Sequence, residues 1–324
     1  MIQRWIVDKE GRVDKVLARH LKCSRSQVSK LIDLQAVWIN GVSAAKSGIW
    51  LKGGEVIEYE LKSTEPDKNT FLDFDIDIEI LYEDDFLMVI NKPAGLVVHP
   101  APSVKVPTLV DWLKKHGVSL STIYGEERHG IVHRIDKETT GALVVAKSND
   151  AHRELSAQLK SKTMGRYYLA LIDNPLRDHV TVDAPIARNP ANRLKMAIVE
   201  GGREAKTDFM KLCELQDRSE LIAARLHSGR THQIRVHLGS LGRHILGDEL
   251  YGCRGKKKVA RRVFLHAYSI YFTHPVKKEN MTIEAPLFDD MKSHIRDNIP
   301  KGVNYDRIIP KDISDDFRKL FSAL

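Results

Sequence analysis

The chain has 324 residues, enough for one large domain or two smaller ones with cores of their own. It is 42% hydrophobic and 29% charged, the balance of an ordinary globular protein, and its apolar runs are too short to span a bilayer. The net charge of +8 favours a polyanionic partner without proving one.

Residues 1–61 read as a small module. Val13, Val16, Leu17 and Leu21 recur at helical spacing. Ser24-Arg25-Ser26-Gln27 has the form of a capping box that starts a second helix through Leu31 and Ile32. Val37-Trp38-Ile39 is strand-like, and Asn40-Gly41 is a hairpin-turn dipeptide. Lys52-Gly53-Gly54 marks another turn before the alternating run Val56 to Leu61. The first thirty residues carry eight Lys or Arg against three acids. Such a run is most often a solvated helix face; the sharper reading is a phosphate-binding face.

Residues 62–75 are polar and non-periodic, as in a linker. From Ile76 to about Asp290 short β-type runs dominate: Ile78–Leu81, Leu87–Ile90, Leu143–Ala146, Tyr167–Ile172, Leu221–Leu226 and Val263–Phe272. Helical stretches interleave at Ala151–Lys160 and Thr231–Leu241. The expected class is α+β, with a mixed, mainly antiparallel sheet. Residues 301–324 read as a polar tail ending in a short amphipathic helix with Phe317, Leu320, Phe321 and Leu324.

Four segments carry candidate chemistry. His133-Arg134-Ile135-Asp136-Lys137-Glu138-Thr139-Thr140-Gly141 sets one carboxylate between apolar runs, where burial is costly unless its charge is offset. Asp136 is thus either a paired structural ion or a reactive group in a cleft. Asn91-Lys92-Pro93-Ala94-Gly95 is a Pro/Gly turn at a strand end, and an ordinary reversal is its plainest meaning. Arg166-Tyr167-Tyr168 puts two rings at a strand start, where core packing is common. Gly229-Arg230-Thr231-His232-Gln233-Ile234-Arg235-Val236-His237 gathers arginines and histidines near a helix N-terminus, a setting suited to anions.

Other chemistries lack their signatures. Of the 14 histidines, neither His129 with His133 nor His232 with His237 has the helical spacing of a zinc site, so no metal is expected. There is no GxSxG elbow, and a glycosidase needs two cooperating carboxylates across a bond. Cys23, Cys213 and Cys253 form no CxxC pair, and the N-terminus lacks the apolar core of a signal peptide. A reducing, cytoplasmic setting is expected.

The four segments, in this order, resemble the RluA/RluD-type pseudouridine synthases. His133 to Gly141 is similar to the HRLDKxTSG motif, and Gly229 to Arg235 to GRTHQIR. Gly247-Asp248 with Tyr251-Gly252, and Leu265-His266-Ala267, match later signatures. Residues 1–61 resemble an S4 domain, a small RNA-binding module. Ile135, Thr140 and Ser228 stand where leucine, serine and threonine are usual, and Gly54-Glu55 where Gly-Asp is common.

The resemblance implies a pseudouridine synthase fold over 76–300 with a central RNA-binding cleft, preceded by the S4-like module. It implies isomerisation of uridine to pseudouridine with no cofactor and no metal. Asp136 would be the nucleophile, Arg230 its charge partner, and Tyr168 the ring that stacks on the flipped uracil and assists removal of the C5 proton. Arg134 would fill the space of the extruded base. His133, Leu265, Thr231, His232 and Gln233 would contact substrate, and Arg12, Lys15, Arg25 and Lys30 would face RNA from the S4-like module. Pro185-Ile186-Ala187-Arg188-Asn189-Pro190 with Arg193 and Met196 resembles the RluD-like branch. The expected partner is therefore large-subunit ribosomal RNA or a pre-ribosomal particle, bound by a monomer away from any membrane. A synthase acting on tRNA, an assembly factor whose catalysis is dispensable, and a hydrolytic base remover stay open. Lys256-Lys257-Lys258 with Arg261-Arg262 is either a phosphate-contacting patch or a solvated loop.

Overall fold

The computed structural model describes residues 2–21, 23, 25–60, 76–100, 104, 106–118, 121, 130–252, 260, 262–310 and 312–321. The chain divides into two compact units, residues 1–72 and 73–324. The stretch 62–75, the Ser24 side of the expected capping box, and residues 256–258 and 261 lie outside the described residues.

In the first unit, helices Val13–His20 and Arg25–Asp33 pack beside a small sheet. The sheet order is Ile2–Ile6, Val56–Glu60, Val37–Ile39, Val42–Ser43, with neighbouring strands antiparallel. Asn40 and Gly41 turn the expected hairpin with φ of 51° and 79°, the left-handed pair that a two-residue loop requires. Glu55 accepts the Lys52 and Gly53 amides at 2.7 and 2.8 Å, closing the second turn. The Ile2–Ile6 strand has no sequence alternation to announce it; pairing with Val56–Glu60 defines it.

In the second unit nine described strands form one sheet. Its path runs Val180–Asp183, Lys206–Glu214, Glu220–Leu226, Gly165–Ile172, Leu265–Thr273, Thr140–Ala146, Leu87–Lys92, Glu79–Glu83; Asn280–Glu284 pairs with Leu265–Thr273 off this path. Every pairing is antiparallel except that between Leu265–Thr273 and Thr140–Ala146. The central strands are buried on both faces. Leu143 and Val145 join one core, while Ala142, Val144 and Ala146 join another beneath helix Asn149–Ser161. That two-sided burial explains their unbroken apolar runs.

Residues 301–321 are no detached tail. Helix Ile313–Phe321 sends Phe317, fully buried, against the Tyr167 ring at a centroid distance of 5.2 Å. Arg262 is likewise not a free patch residue: its guanidinium grips Asp290 at 2.6 and 2.8 Å.

Candidate active site

The segment before strand Thr140–Ala146 alternates in exposure. His133 and Ile135 are buried while Arg134 and Asp136 face outward, so the cation and the carboxylate share one side. A turn follows, closed by the Thr139 amide donating to the Asp136 carbonyl at 3.1 Å. Lys92 lies beneath it, wholly buried. Its Nζ donates to the carbonyls of Pro93, Leu96 and Lys137 at 2.7, 2.9 and 3.1 Å. Burial pulls this ammonium down to about 7 against the charges of Glu138 and Asp136. The Asn91–Gly95 turn is therefore not an ordinary reversal: it ties the Asp136 turn to the sheet.

Helix Gln233–Ser240 supplies the other side. His232 opens it in the left-handed conformation, φ 56°, a strained setting for a side chain with a Cβ. This reversal aims Arg235 at the carboxylate, with Nη1 3.5 Å from Asp136 Oδ2. The guanidinium is held by Asp248 through Nε at 2.7 Å and Nη2 at 2.8 Å, a bidentate fork. Burial opposes the arginine's charge, but the Asp248 hydrogen bonds and the charges of Asp248 and Asp136 outweigh it and raise its pKa. Its guanidinium carbon also lies 4.8 Å from the centre of the Tyr251 ring.

His232 is oriented by a short relay. The Met196 amide donates to the Tyr251 hydroxyl at 2.7 Å, and that hydroxyl lies 2.9 Å from His232 Nδ1. On the far side of the ring, Nε2 lies 3.8 Å from Asp136 Oδ2. Burial lowers the His232 pKa against the pull of Asp136, which keeps the ring neutral.

Tyr167 and Tyr168 point opposite ways from strand Gly165–Ile172. Tyr167 packs into the core with Tyr271 and Phe317, while Tyr168 lines the cleft containing Asp136. Burial raises the Tyr168 pKa, so the phenol keeps its proton. Asp136, Arg134, Tyr168, Arg230, Thr231, His232, Gln233 and Leu265 all line this one cleft, in which Asp136 is the single carboxylate among the described lining residues.

Three expectations change. Arg230 lines the cleft but does not pair with Asp136: its Nε donates to the Glu204 carbonyl at 2.9 Å, because it lies on the loop before the His232 reversal. Arg235, beyond the reversal, takes that place. Gln233 has its amide committed within the protein, to the Lys206 carbonyl, Thr207, Ser228 and the Arg230 amide. It staples the Ser228–Arg230 loop to the sheet. His133 lines the neighbouring cavity rather than this cleft, and its Nε2 accepts the Val144 amide at 3.1 Å. In the first unit Arg12 and Arg25 both grip buried Asp14, the closest contacts being 3.2 and 2.7 Å, and Lys15 is exposed; the Lys30 side chain lies outside the described residues. Sequence reasoning missed Arg235, Asp248 and Lys92 as site residues. Arg235 and Asp248 stood inside quoted motifs, so proximity in sequence was the available signal.

The RNA pseudouridylate synthase family is matched over residues 86–240 and the S4 domain over 11–57. An uncharacterized RNA pseudouridine synthase of Helicobacter pylori (strain J99) is 44% identical over 308 residues, covering 93% of this chain and 94% of that protein. The ribosomal large subunit pseudouridine synthase D of Nitrosomonas europaea is 41% identical over 289 residues, 86% and 82% of the two chains. The solved structure of human RNA pseudouridylate synthase domain containing 1 shares the fold, with a TM-score of 0.58 at 23% identity over 72% of this chain and 93% of that one. With its catalytic unit and N-terminal S4 domain so matched, the chain belongs to the RNA pseudouridine synthases.

Proposed function

We propose that the protein converts uridine to pseudouridine in large-subunit ribosomal RNA, with Asp136 as the nucleophile and the target base flipped into the cleft. The observation that carries this reading is a lone carboxylate facing Arg235 and His232 Nε2 beneath a tyrosine wall. Asp136 Oδ attacks C1′ of the flipped uridine and the N1–C1′ bond breaks. The freed uracil turns, C5 bonds to C1′, and the Asp136 ester bond breaks. C5 loses its proton and N1 gains one, so mass is conserved. In the glycal variant Asp136 instead assists removal of a sugar proton, and the same carboxylate is required.

Arg235 balances the carboxylate's charge and, clamped by Asp248, fixes its direction. Tyr168, kept as a phenol by burial, stacks on the uracil; its environment disfavours service as an anionic base. Arg134, exposed on the same side as Asp136, fills the vacated place in the RNA, offsetting the few kcal/mol of unstacking. The large-subunit assignment rests on the name of the Nitrosomonas relative and on the S4 domain.

The test is Asp136→Asn on unmodified large-subunit ribosomal RNA, reading pseudouridine by mass-neutral labelling. Activity should fall by roughly 10⁴-fold or more with fold and RNA affinity kept. Full activity in the variant sinks the proposal, and release of free uracil by the wild type turns it into hydrolysis.

A further inference from the structure

Beside the cleft lies a second cavity of about 280 Å³. The two share Arg134, Arg166, Leu226 and Gly229 along one wall. Lys162 and Arg225 line the far side, and no described lining residue is a carboxylate. Among the described residues, none of these four cationic side chains makes a hydrogen bond or an ion pair. Arg166 is only 9% exposed, and its buried Nε has no partner. A buried guanidinium without a counter-charge is costly and fits a place where a ligand supplies the anion.

Two backbone features keep these cations at the cavity. Gly229 lets its loop lie against Arg166: a Cβ there would meet Nη2 at 3.0 Å. Lys162 ends helix Asn149–Ser161 in the left-handed conformation, φ 62°, where glycine is the favoured residue. A lysine held in that conformation at a cavity rim is strain of the kind found at functional positions.

We propose that this cavity is a phosphate subsite that grips a backbone phosphodiester flanking the flipped uridine. Arg166 reaches it from the shared wall, and Lys162 and Arg225 from the far side. This rests on the reading of the first cleft as the uridine site. A base in that cleft brings its own strand's phosphates to the shared wall, which favours RNA over a free anion.

The test uses Lys162→Gly and Arg225→Gln, neither of which touches the Asp136 carboxylate, with an unmodified large-subunit ribosomal RNA transcript as probe. Lys162→Gly removes the cation and supplies the residue that its backbone favours, so its melting temperature should stay at or above that of the wild type. Each variant should raise KM about fivefold with kcat within about twofold, and flatten the slope of log Kd against log salt by roughly 0.7. Unchanged KM and salt slope in both folded variants overturn the subsite. Inorganic phosphate is the second arm. If it stabilises the wild type but not Lys162→Gly while KM for RNA is unmoved, the cavity takes a free anion and the RNA assignment falls. Because Kd is read without turnover, a wild type lacking isomerase activity refutes the proposed function and leaves the subsite still decided by the binding arm.

Discussion

Asp136 is held by groups from two distant stretches: Lys92 under its turn, and Arg235 against its carboxylate with His232 Nε2 beyond. The bidentate grip of Asp248 on Arg235 is the part that a lysine cannot reproduce, since an ammonium is a point charge without a fork. Arg235→Lys should therefore lower kcat about 100-fold, because the carboxylate loses its fixed direction. Arg230→Gln should leave kcat within about threefold and act through KM, as befits a side chain tied to the Glu204 carbonyl. Steady-state kinetics on the two variants checks this, and the reverse order of effects would restore Arg230 as the charge partner. At this scale Asp136, Arg134 and Tyr168, picked out by the resemblance, all line the cleft; alternation alone allows only one of Tyr167 and Tyr168 to do so without saying which. The choice between Arg230 and Arg235 was not legible, because it turns on one left-handed residue, His232, that no apolar period marks.

The strands Thr140–Ala146 and Leu265–Thr273 meet in parallel through only two registered pairs, His266 with Thr140 and Ala267 with Gly141. Gly141 permits the approach: its φ is 110°, and a Cβ would stand 2.3 Å from the Ala267 carbonyl oxygen. His266 stitches the junction. Its Nε2–H donates to the Ala285 carbonyl at 3.0 Å, so Nδ1 accepts the Thr140 hydroxyl at 2.8 Å. Burial lowers its pKa from 6.5 to about 4. The unfolded chain therefore binds this proton first as pH falls, and stability is lost between 6.5 and 4, by up to about 3 kcal/mol. Urea unfolding across that window should show the loss. His266→Gln should start from a lower stability at pH 7 yet flatten the slope by up to one proton, and an unchanged slope would remove His266 from this role. The junction was only half legible: both strands announced themselves by apolar runs, but their parallel adjacency is a long-range fact. Strands such as Lys206–Glu214 and Asn280–Glu284 went unread because charged and polar residues interrupt them, and pairing rather than composition makes them strands.

The charge of +8 favours a polyanion, and the first unit presents part of that excess in an ordered form. Asp14, buried, takes hydrogen bonds from both Arg12 and Arg25, leaving one net positive charge on a fixed pair of guanidiniums beside exposed Lys15 and Arg19. The count of eight cations against three acids already includes Asp14, whose burial between Arg12 and Arg25 fixes where part of that excess sits. The larger unit has its own core, running from Ile78 to Phe317, so removing residues 1–61 should leave it folded, with a single cooperative melt. RNA affinity should then fall about 10- to 100-fold near physiological salt, and the slope of log Kd against log salt should flatten as phosphate contacts are lost. Activity at a fixed RNA concentration should consequently vanish at lower salt than in the full chain, while kcat at saturating RNA stays close to its original value. Filter binding and turnover across a salt series read both quantities. If affinity and slope match the full chain, the phosphate contacts that govern RNA binding lie in the larger unit alone, with Lys162 and Arg225 foremost among them.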